Sequence, residues 1–276
     1  MNEELSLETI KKIEFELLIK FADLCDTLNL RYSLGGGTLL GAIRHKGFIP
    51  WDDDIDVMMP RKDYDTLVSN VKIHNYDFKF KCYETDVTHM KLFANIMDVN
   101  TVIYDEDTGE KSRGISIDVF PLDGLGDTEK NAIKRFNKTM LYRELLNAKT
   151  WNHFFLSKTH AWYYEPIRLI MFIMSRFVDG RKLLYKIDKV NRAIDFDNAE
   201  YAGCVCGSYR KKEIMKRKTF DQFIDVEFEG RKFKAIKGYD QYLTQHYGNY
   251  MELPPKEKQI SHHMFHAYSL NDKSGE

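Results

Sequence analysis

The sequence predicts a mixed α/β fold, a mixed sheet core followed by a largely helical second region, and three observations predict it. A short apolar run at Tyr32 to Leu34 passes into Gly35-Gly36-Gly37 and then into a compact apolar helix from Thr38 to Ile43, the strand, turn and helix order of an α/β unit. Strand-like runs follow at Asp54 to Met58, Phe78 to Tyr83, Leu92 to Val99 and Ile115 to Phe120. Beyond Gly124 the apolar spacing changes to that of amphipathic helices.

The elements follow in order. From Ser6 to Leu28, Ile10, Ile13, Leu17, Phe21, Leu24 and Leu28 recur every three or four residues and draw one apolar stripe on a helix. After the loop Lys46 to Pro50, carboxylate and aliphatic residues alternate from Asp54 to Met58, so Asp54 and Asp56 share a strand face. Pro60 closes that strand and Arg61 to Val71 reads as a helix. Asp105 to Arg113 has no apolar face and reads as a solvated turn or mobile loop. Asp127 is placed to N-cap a helix with Ile133, Phe136, Met140, Leu145 and Ala148 on one side. Pro166 suits a first helical turn and Gly180 a position past a last one. Alternating apolar residues on either side of Glu229-Gly230 predict a hairpin from Ile224 to Ile236. A helix from Tyr239 to Tyr247 and a break at Pro254-Pro255 end the pattern. We divide the chain into a core over 1–124, a helical region over 125–200, and strands and a helix over 201–276 that pack back on the core.

Composition excludes several classes. With 276 residues, 43% hydrophobic and 13% aromatic, the chain has material for a sizeable core. Lys+Arg 41 against Asp+Glu 42 leaves a formal net charge of -1, so no global field favours nucleic acid and any phosphate recognition is local. Cys25, Cys82, Cys204 and Cys206 lack the spacing of a zinc ribbon or a redox C-x-x-C pair, which suits a reducing compartment. The opening MNEELSLETIKK carries no apolar signal region, and Ile167 to Val178, interrupted by Arg168 and Arg176, falls short of the roughly 20 residues of a spanning helix. The expected location is the cytoplasm.

Chemistry concentrates around the glycine turn. Glycine permits positive φ and close approach of backbone N–H groups to a phosphate, and a helix start favours negative charge, so Gly35, Gly36, Gly37 and Thr38 are candidates for a phosphate cradle. Alone, such a triplet has an ordinary structural reading. About 15 residues on, Trp51-Asp52-Asp53-Asp54-Ile55-Asp56 places like charges on one strand face, which calls for a cation, and hard oxygen ligands suit Mg²⁺ or Mn²⁺. Asp118, between Ile117 and Val119, adds a third carboxylate that is costly to bury without a partner. Three carboxylates from two strands beside a glycine turn describe a metal site for phosphoryl transfer, with Asp54, Asp56 and Asp118 as ligands. Arg44, His45 and Lys46 after the short helix are candidates to pair with donor phosphates, or else answer the helix dipole. Trp51 either stacks on a base or packs the loop, and packing is favoured.

Gly35 to Leu40 (GGGTLL), Gly41 to Gly47 (GAIRHKG), Phe48 to Asp56 (FIPWDDDID) and Ile117 to Asp123 (IDVFPLD) together resemble the LicD family. Tyr239 to Leu243, Tyr247-Gly248 and Leu253 to Pro255 resemble that family's C-terminal end, so the likeness covers most of the chain. The one departure is Gly35-Gly36-Gly37, where such motifs usually carry serine or phenylalanine before the second glycine; it loosens the turn and leaves its N–H groups in place. The resemblance implies a nucleotidyltransferase-like fold and a metal-dependent transfer of phosphocholine from CDP-choline to a sugar hydroxyl of a surface glycan, teichoic acid or lipopolysaccharide, with His45 beside the three acids in the catalytic set. Transfer of ribitol phosphate or phosphoethanolamine, and nucleotidyl transfer to a small molecule, are the alternatives within that chemistry. A glycan-binding module with a structural cation is the alternative outside it.

A quaternary ammonium group is held by aromatic faces, for which Trp151, Trp162, Tyr163 and Tyr164 are candidates beside an ordinary core role. His262-His263 reads either as a general base or phosphate donor or as an exposed pair. The aromatic and basic stretch Trp162 to Tyr185 fits either a buried helix or peripheral contact with the inner face of an anionic membrane that presents a lipid-linked acceptor.

Overall fold

Ser6 begins the first helix by accepting the Thr9 N–H on its hydroxyl at 3.2 Å, and α1 (Leu7–Thr27) buries Ile10, Glu14, Leu17, Leu18, Phe21 and Cys25. The structure is a computed structural model that describes residues 4–105, 111–157, 161–259 and 265–270. There follow β1 (Ser33–Leu34), α2 (Gly36–His45), β2 (Asp56–Pro60), α3 (Arg61–Val71), β3 (Lys79–Lys81), β4 (Ala94–Met97), β5 (Thr101–Asp105), β6 (Lys111–Arg113) and β7 (Ser116–Gly126). The helical region holds α4 (Glu129–Lys138), α5 (Met140–Thr150), α6 (Glu165–Arg176) and α7 (Gly180–Asn191). Then come β8 (Tyr201–Gly203), β9 (Met215–Lys216), β10 (Phe223–Phe228), β11 (Arg231–Ile236), α8 (Tyr239–Tyr247) and β12 (Phe265–Ser269).

The main sheet is mixed, in the order β1-β2-β7-β4-β3, with β2 and β7 parallel and the other pairs antiparallel. β7 is long because its first half pairs with β2 and β4 while its second half pairs with β8, and β8 in turn with β9. α1 lies against β7 and β4. One core joins Leu18, Phe21, Leu39, Ile55, Val57, Ile117 and Val119 to Phe220, Phe228, Phe233 and Leu243, so the last quarter of the chain packs into the same interior as the first. The hairpin β10–β11 turns on Glu229 and Gly230, both at positive φ, as the alternation predicts.

Five expectations need correction. The glycine triplet is no loop: Gly35 caps α2, and Gly36 and Gly37 form its first turn. Of Asp105 to Arg113, Asp105 and Lys111 to Arg113 belong to strands, because β5 pairs with β6 and with β12, a partner some 160 residues away that no local pattern announces, and residues 106–110 lie outside the described residues. The cap of α4 is Thr128, whose hydroxyl accepts the Asn131 N–H at 3.3 Å; Asp127 comes too early because β7 keeps the backbone extended through Gly126, paired with Tyr201. The single helix expected over 127–148 breaks at Thr139, where Arg143 caps the Phe136 carbonyl at 2.9 Å, and Met140 turns out to solvent. Gly180 opens α7 instead of following α6, with the Asp179 carboxylate accepting the Arg181 and Lys182 N–H groups at 2.9 and 3.2 Å. A Cβ on Gly180 would stand 3.1 Å from Lys149 and 3.2 Å from Met90, so close packing explains the glycine. His262 and His263 lie outside the described residues.

Candidate active site

Parallel pairing sets Asp56 of β2 level with Asp118 of β7, and antiparallel pairing sets Asn95 of β4 level with Asp118 from the other side. Level residues on neighbouring strands project to one face. Three polar side chains therefore form a row across three strands, and the Asn95 amide donates to Asp118. Asp54 lies in the extended approach to β2, just before the strand. The Asp118 N–H donates to the Ile55 carbonyl at 2.9 Å, so the parallel pairing reaches back to this approach, where buried Ile55 alternates with half-buried Asp54 and Asp56.

α2 begins against this row. Gly35 N–H donates to the Asp56 carbonyl at 2.9 Å and the Thr38 hydroxyl accepts the Asp56 N–H at 2.8 Å, which clasps the strand start from both sides. Gly36 has φ +48°, and a Cβ there would stand 2.6 Å from Asp56 Oδ2; a Cβ on Gly37 would stand 2.6 Å from Asp52 Oδ2. The glycines are needed because carboxylates lie directly over them. Of the expected cradle, the Gly35 N–H is engaged by Asp56 and the Gly36 N–H by the Tyr242 hydroxyl at 3.2 Å. The N–H groups of Gly37 and Thr38 belong to the first turn, which has no acceptor within the helix.

A further acid, Glu14, reaches this cluster from α1. It is 3% exposed, and its Oε2 has no hydrogen-bond partner among the described residues. Burial pushes its pKa well up, and Asp54, Asp53 and Asp118 push it further. Asp56 is raised likewise by burial and then by Asp54, Asp118 and Asp52. Lys11, one turn earlier on α1, donates to the Ile49 and Pro50 carbonyls at 3.2 and 3.0 Å and faces Asp52 and Asp53. Carboxylates desolvated among carboxylates, with a buried orphan oxygen beside them, fit a hard divalent cation. Among the described residues no three His, Cys, Asp or Glu side chains are arranged so that they could hold a metal ion together.

The basic residues are differently placed from what their sequence suggests. Arg44 Nε donates to His45 Nε2 at 2.9 Å and its Nη1 to the Tyr250 carbonyl at 2.8 Å, so this guanidinium ties the C-terminal loop to α2. His45 is lowered in pKa by burial and by Arg44, and its ring meets Trp51 edge-on at 6.4 Å, which makes Trp51 a packing residue. Lys46 is exposed and caps α2 at φ +61°. Of the four aromatic candidates, Trp162, Tyr163 and Tyr164 stand in a row of ring contacts, with centroids 6.1 and 4.7 Å apart in turn, and Trp151 packs elsewhere. Trp151 packs on Phe155 and Phe172 with the Arg168 guanidinium 4.9 Å from its ring, so a cation of the chain itself takes that face. Trp162, Tyr163 and Tyr164 are exposed, which also rules out a core role.

Sequence reasoning missed the tyrosines beside Asp56. Tyr209 meets His246 at 4.7 Å and Tyr247 at 5.3 Å, and buried His246 stands 3.3 Å from Glu213. Burial holds the phenols of Tyr209, Tyr242 and Tyr247 above their ordinary pKa, with the charge of Asp56 adding to each. Glu14 did leave a signal: it occupies an apolar position of the α1 stripe, four residues after Ile10 and three before Leu17.

Residues 29–173 match the family model described as LicD/FKTN/FKRP, nucleotidyltransferase domain. The chain is 33% identical over 273 residues to the lipopolysaccharide cholinephosphotransferase LicD of Haemophilus influenzae, covering 97% of this chain and 99% of that protein. Over 59 residues it is 44% identical to uncharacterised proteins of Rickettsia prowazekii and Rickettsia typhi, covering 21% of this chain in each case and 20% and 17% of those proteins.

Proposed function

This chain belongs to the LicD/FKTN/FKRP family and is a phosphotransferase; from that premise we propose that it transfers phosphocholine from CDP-choline to a sugar hydroxyl of a bacterial cell-surface glycan. The full-length similarity to a lipopolysaccharide cholinephosphotransferase supports the glycan acceptor. The observation that carries the reading is the level row of Asp56, Asp118 and Asn95 under the glycine-opened end of α2. We read the mixed sheet of 1–124 as a nucleotidyltransferase-like core, with 125–200 serving the alcohol and acceptor and 201–276 closing over the core.

In the proposed reaction the sugar oxygen bonds to the choline-bearing phosphorus as the bond from that phosphorus to the bridging oxygen breaks. CMP leaves with that oxygen, and the hydroxyl proton is released. Asp54, Asp56 and Asp118 would hold Mg²⁺ or Mn²⁺, with Glu14 behind them; the ion supplies charge neutralisation for the donor phosphates. The N–H groups of Gly37 and Thr38 would face those phosphates. Asn95 fixes the Asp118 carboxylate, and Thr38 and Gly35 fix the backbone of Asp56. His45, Arg44 and Lys46 lie at the far end of α2, where Arg44 holds the loop and His45 with Lys46 would meet the nucleotide end of the donor.

The test is product analysis with CDP-choline and a soluble glycan, with Mg²⁺ and with EDTA. Metal-dependent CMP release with a phosphocholine-bearing glycan is the expected result. Pyrophosphate release from CTP in its place would move the chain to nucleotidyl transfer, and no CMP from CDP-choline with activity on CDP-ribitol or CDP-ethanolamine would change the group carried.

A further inference from the structure

An amphipathic helix ordinarily turns its apolar stripe to the core. α6 does the reverse. Ile167, Leu169, Ile170, Ile173 and Met174 of α6 and Phe177 just beyond it are each between 41% and 86% exposed, whereas Ser175 is the one residue of the helix that is buried. At 100° per residue the exposed apolar residues fall in one continuous half of the helix, and Arg168, Met171, Phe172 and Ser175 fall in the other. The patch is on the order of several hundred Å², as large as any a typical monomer leaves bare.

The charges of this helix are turned away from that half. Arg168 donates to the Phe155 carbonyl at 3.0 Å, pairs with Glu165 and lies against the rings of Trp151 and Phe155. Arg176 donates to the carbonyls of Ala148 at 2.7 Å and Trp151 at 3.0 Å. At the N-terminal end stand Trp162 and Tyr163, 81% and 58% exposed, the ring types that settle at a bilayer's headgroup level. The next helix supplies cations: with Leu183, Leu184 and Ile187 buried, α7 shows Lys182, Lys186 and Lys189 to solvent, and of these Lys182 has Asp179 beside it at 3.9 Å.

We propose that α6 is a membrane-docking helix that lies in the plane of an anionic bilayer, with Ile167, Ile170, Ile173 and Phe177 in the acyl boundary and the α7 lysines over the lipid phosphates. At about 18 Å its length suits the interface and falls far short of a span; no helix among the described residues is long and apolar enough to cross a membrane. Apolar insertion plus basic residues is the pairing that anionic bilayers select. The proposal goes beyond the functional reading, in which the acceptor is a glycan, by giving the chain its own contact with the bilayer.

Co-sedimentation of the full chain with vesicles of phosphatidylglycerol and phosphatidylcholine, set against phosphatidylcholine alone, tests it. Binding is expected with the anionic vesicles, weakening as salt rises. The double variant Ile170→Glu/Ile173→Glu should bind at least tenfold more weakly with unchanged melting, and Lys182→Gln, Lys186→Gln and Lys189→Gln about fivefold more weakly for each lysine removed. Full recovery of the wild type in the supernatant overturns the proposal. So does a stable dimer that the double variant splits, which would assign the face to a second copy. CMP release on a soluble glycan, run alongside, separates the two readings: vesicle binding without CMP release leaves docking standing and removes the transferase reaction, and the reverse result removes docking alone.

Discussion

β7 carries two carboxylates five residues apart, and the fold treats them in opposite ways. Asp123, 1% exposed, receives both Arg61 Nε at 2.7 Å and Arg61 Nη2 at 3.0 Å. Around that pair Arg192 meets Asp188, Asp65 and Glu84, so acids and guanidiniums alternate. The Asp118 end gathers acids instead: Asp56 lies level on β2, Asp54 just before it and Glu14 above on α1, and the strongest charges felt by Asp56 and Glu14 are other carboxylates. An acid answered by the chain's own cation belongs to the frame. Acids held among acids are the ones that the proposed function assigns to a cation.

The largest expected effect lies on the acidic end. Asp56→Asn and Asp118→Asn should each lower CMP release on the order of a hundredfold or more, and the double variant should do little worse than the worse single one, since such residues act as a unit. Near-normal turnover in either would break the contrast. At the other end, Asp123→Asn takes the closest acid from buried Arg61, which keeps only the longer pairs with Asp188 at 3.8 Å and Asp65 at 3.9 Å, and should remove about 3 kcal/mol of stability by denaturant unfolding, with the remaining folded protein active. A loss under about 1 kcal/mol would put Asp123 outside the frame.

Two smaller effects sharpen the comparison. Gly36→Ala sets a Cβ 2.6 Å from Asp56 Oδ2 at φ +48°, and should cost about 1–2 kcal/mol by thermal melting while lowering turnover through the displaced carboxylate. The smallest is a slope. Glu14 has a folded-state pKa raised above the ordinary 4.5, so the folded state holds its proton more tightly than the unfolded one. In EDTA that raises the relative stability at low pH and removes it as pH climbs from 4.5 through the folded pKa. Glu14→Gln should flatten the fall, and an unchanged slope would contradict the burial of that charge.

Much of this was legible because it is local. Alternation announces Asp54 and Asp56, an aliphatic pair frames Asp118, and Pro60, Glu229-Gly230 and the Tyr239 to Tyr247 run mark their elements by turn chemistry and period. What escaped depends on partners far along the chain. β12 pairs with β5 across the whole molecule, β7 extends to Gly126 because β8 returns to it, and the site's tyrosines arrive from residues 209–247. α6 stayed open for a different reason: its period gives an amphipathic helix, but not which half faces in, so a buried and a membrane-contacting helix fitted alike, and the exposed half is the apolar one.

Thermal melting of the wild type, Asp56→Asn and Asp123→Asn, each with Mg²⁺ and with EDTA, tests most directly whether the two ends of the sheet differ as described. The wild type should melt higher with Mg²⁺ than with EDTA. In EDTA, Asp56→Asn should melt at or above the wild type, because removing one acid relieves repulsion, and it should gain little from Mg²⁺. Asp123→Asn should melt lower under both conditions and keep the wild-type Mg²⁺ shift. A wild type indifferent to Mg²⁺ and Mn²⁺, or an Asp56→Asn variant that melts below it in EDTA as Asp123→Asn does, would contradict the account and make the acidic row part of the frame.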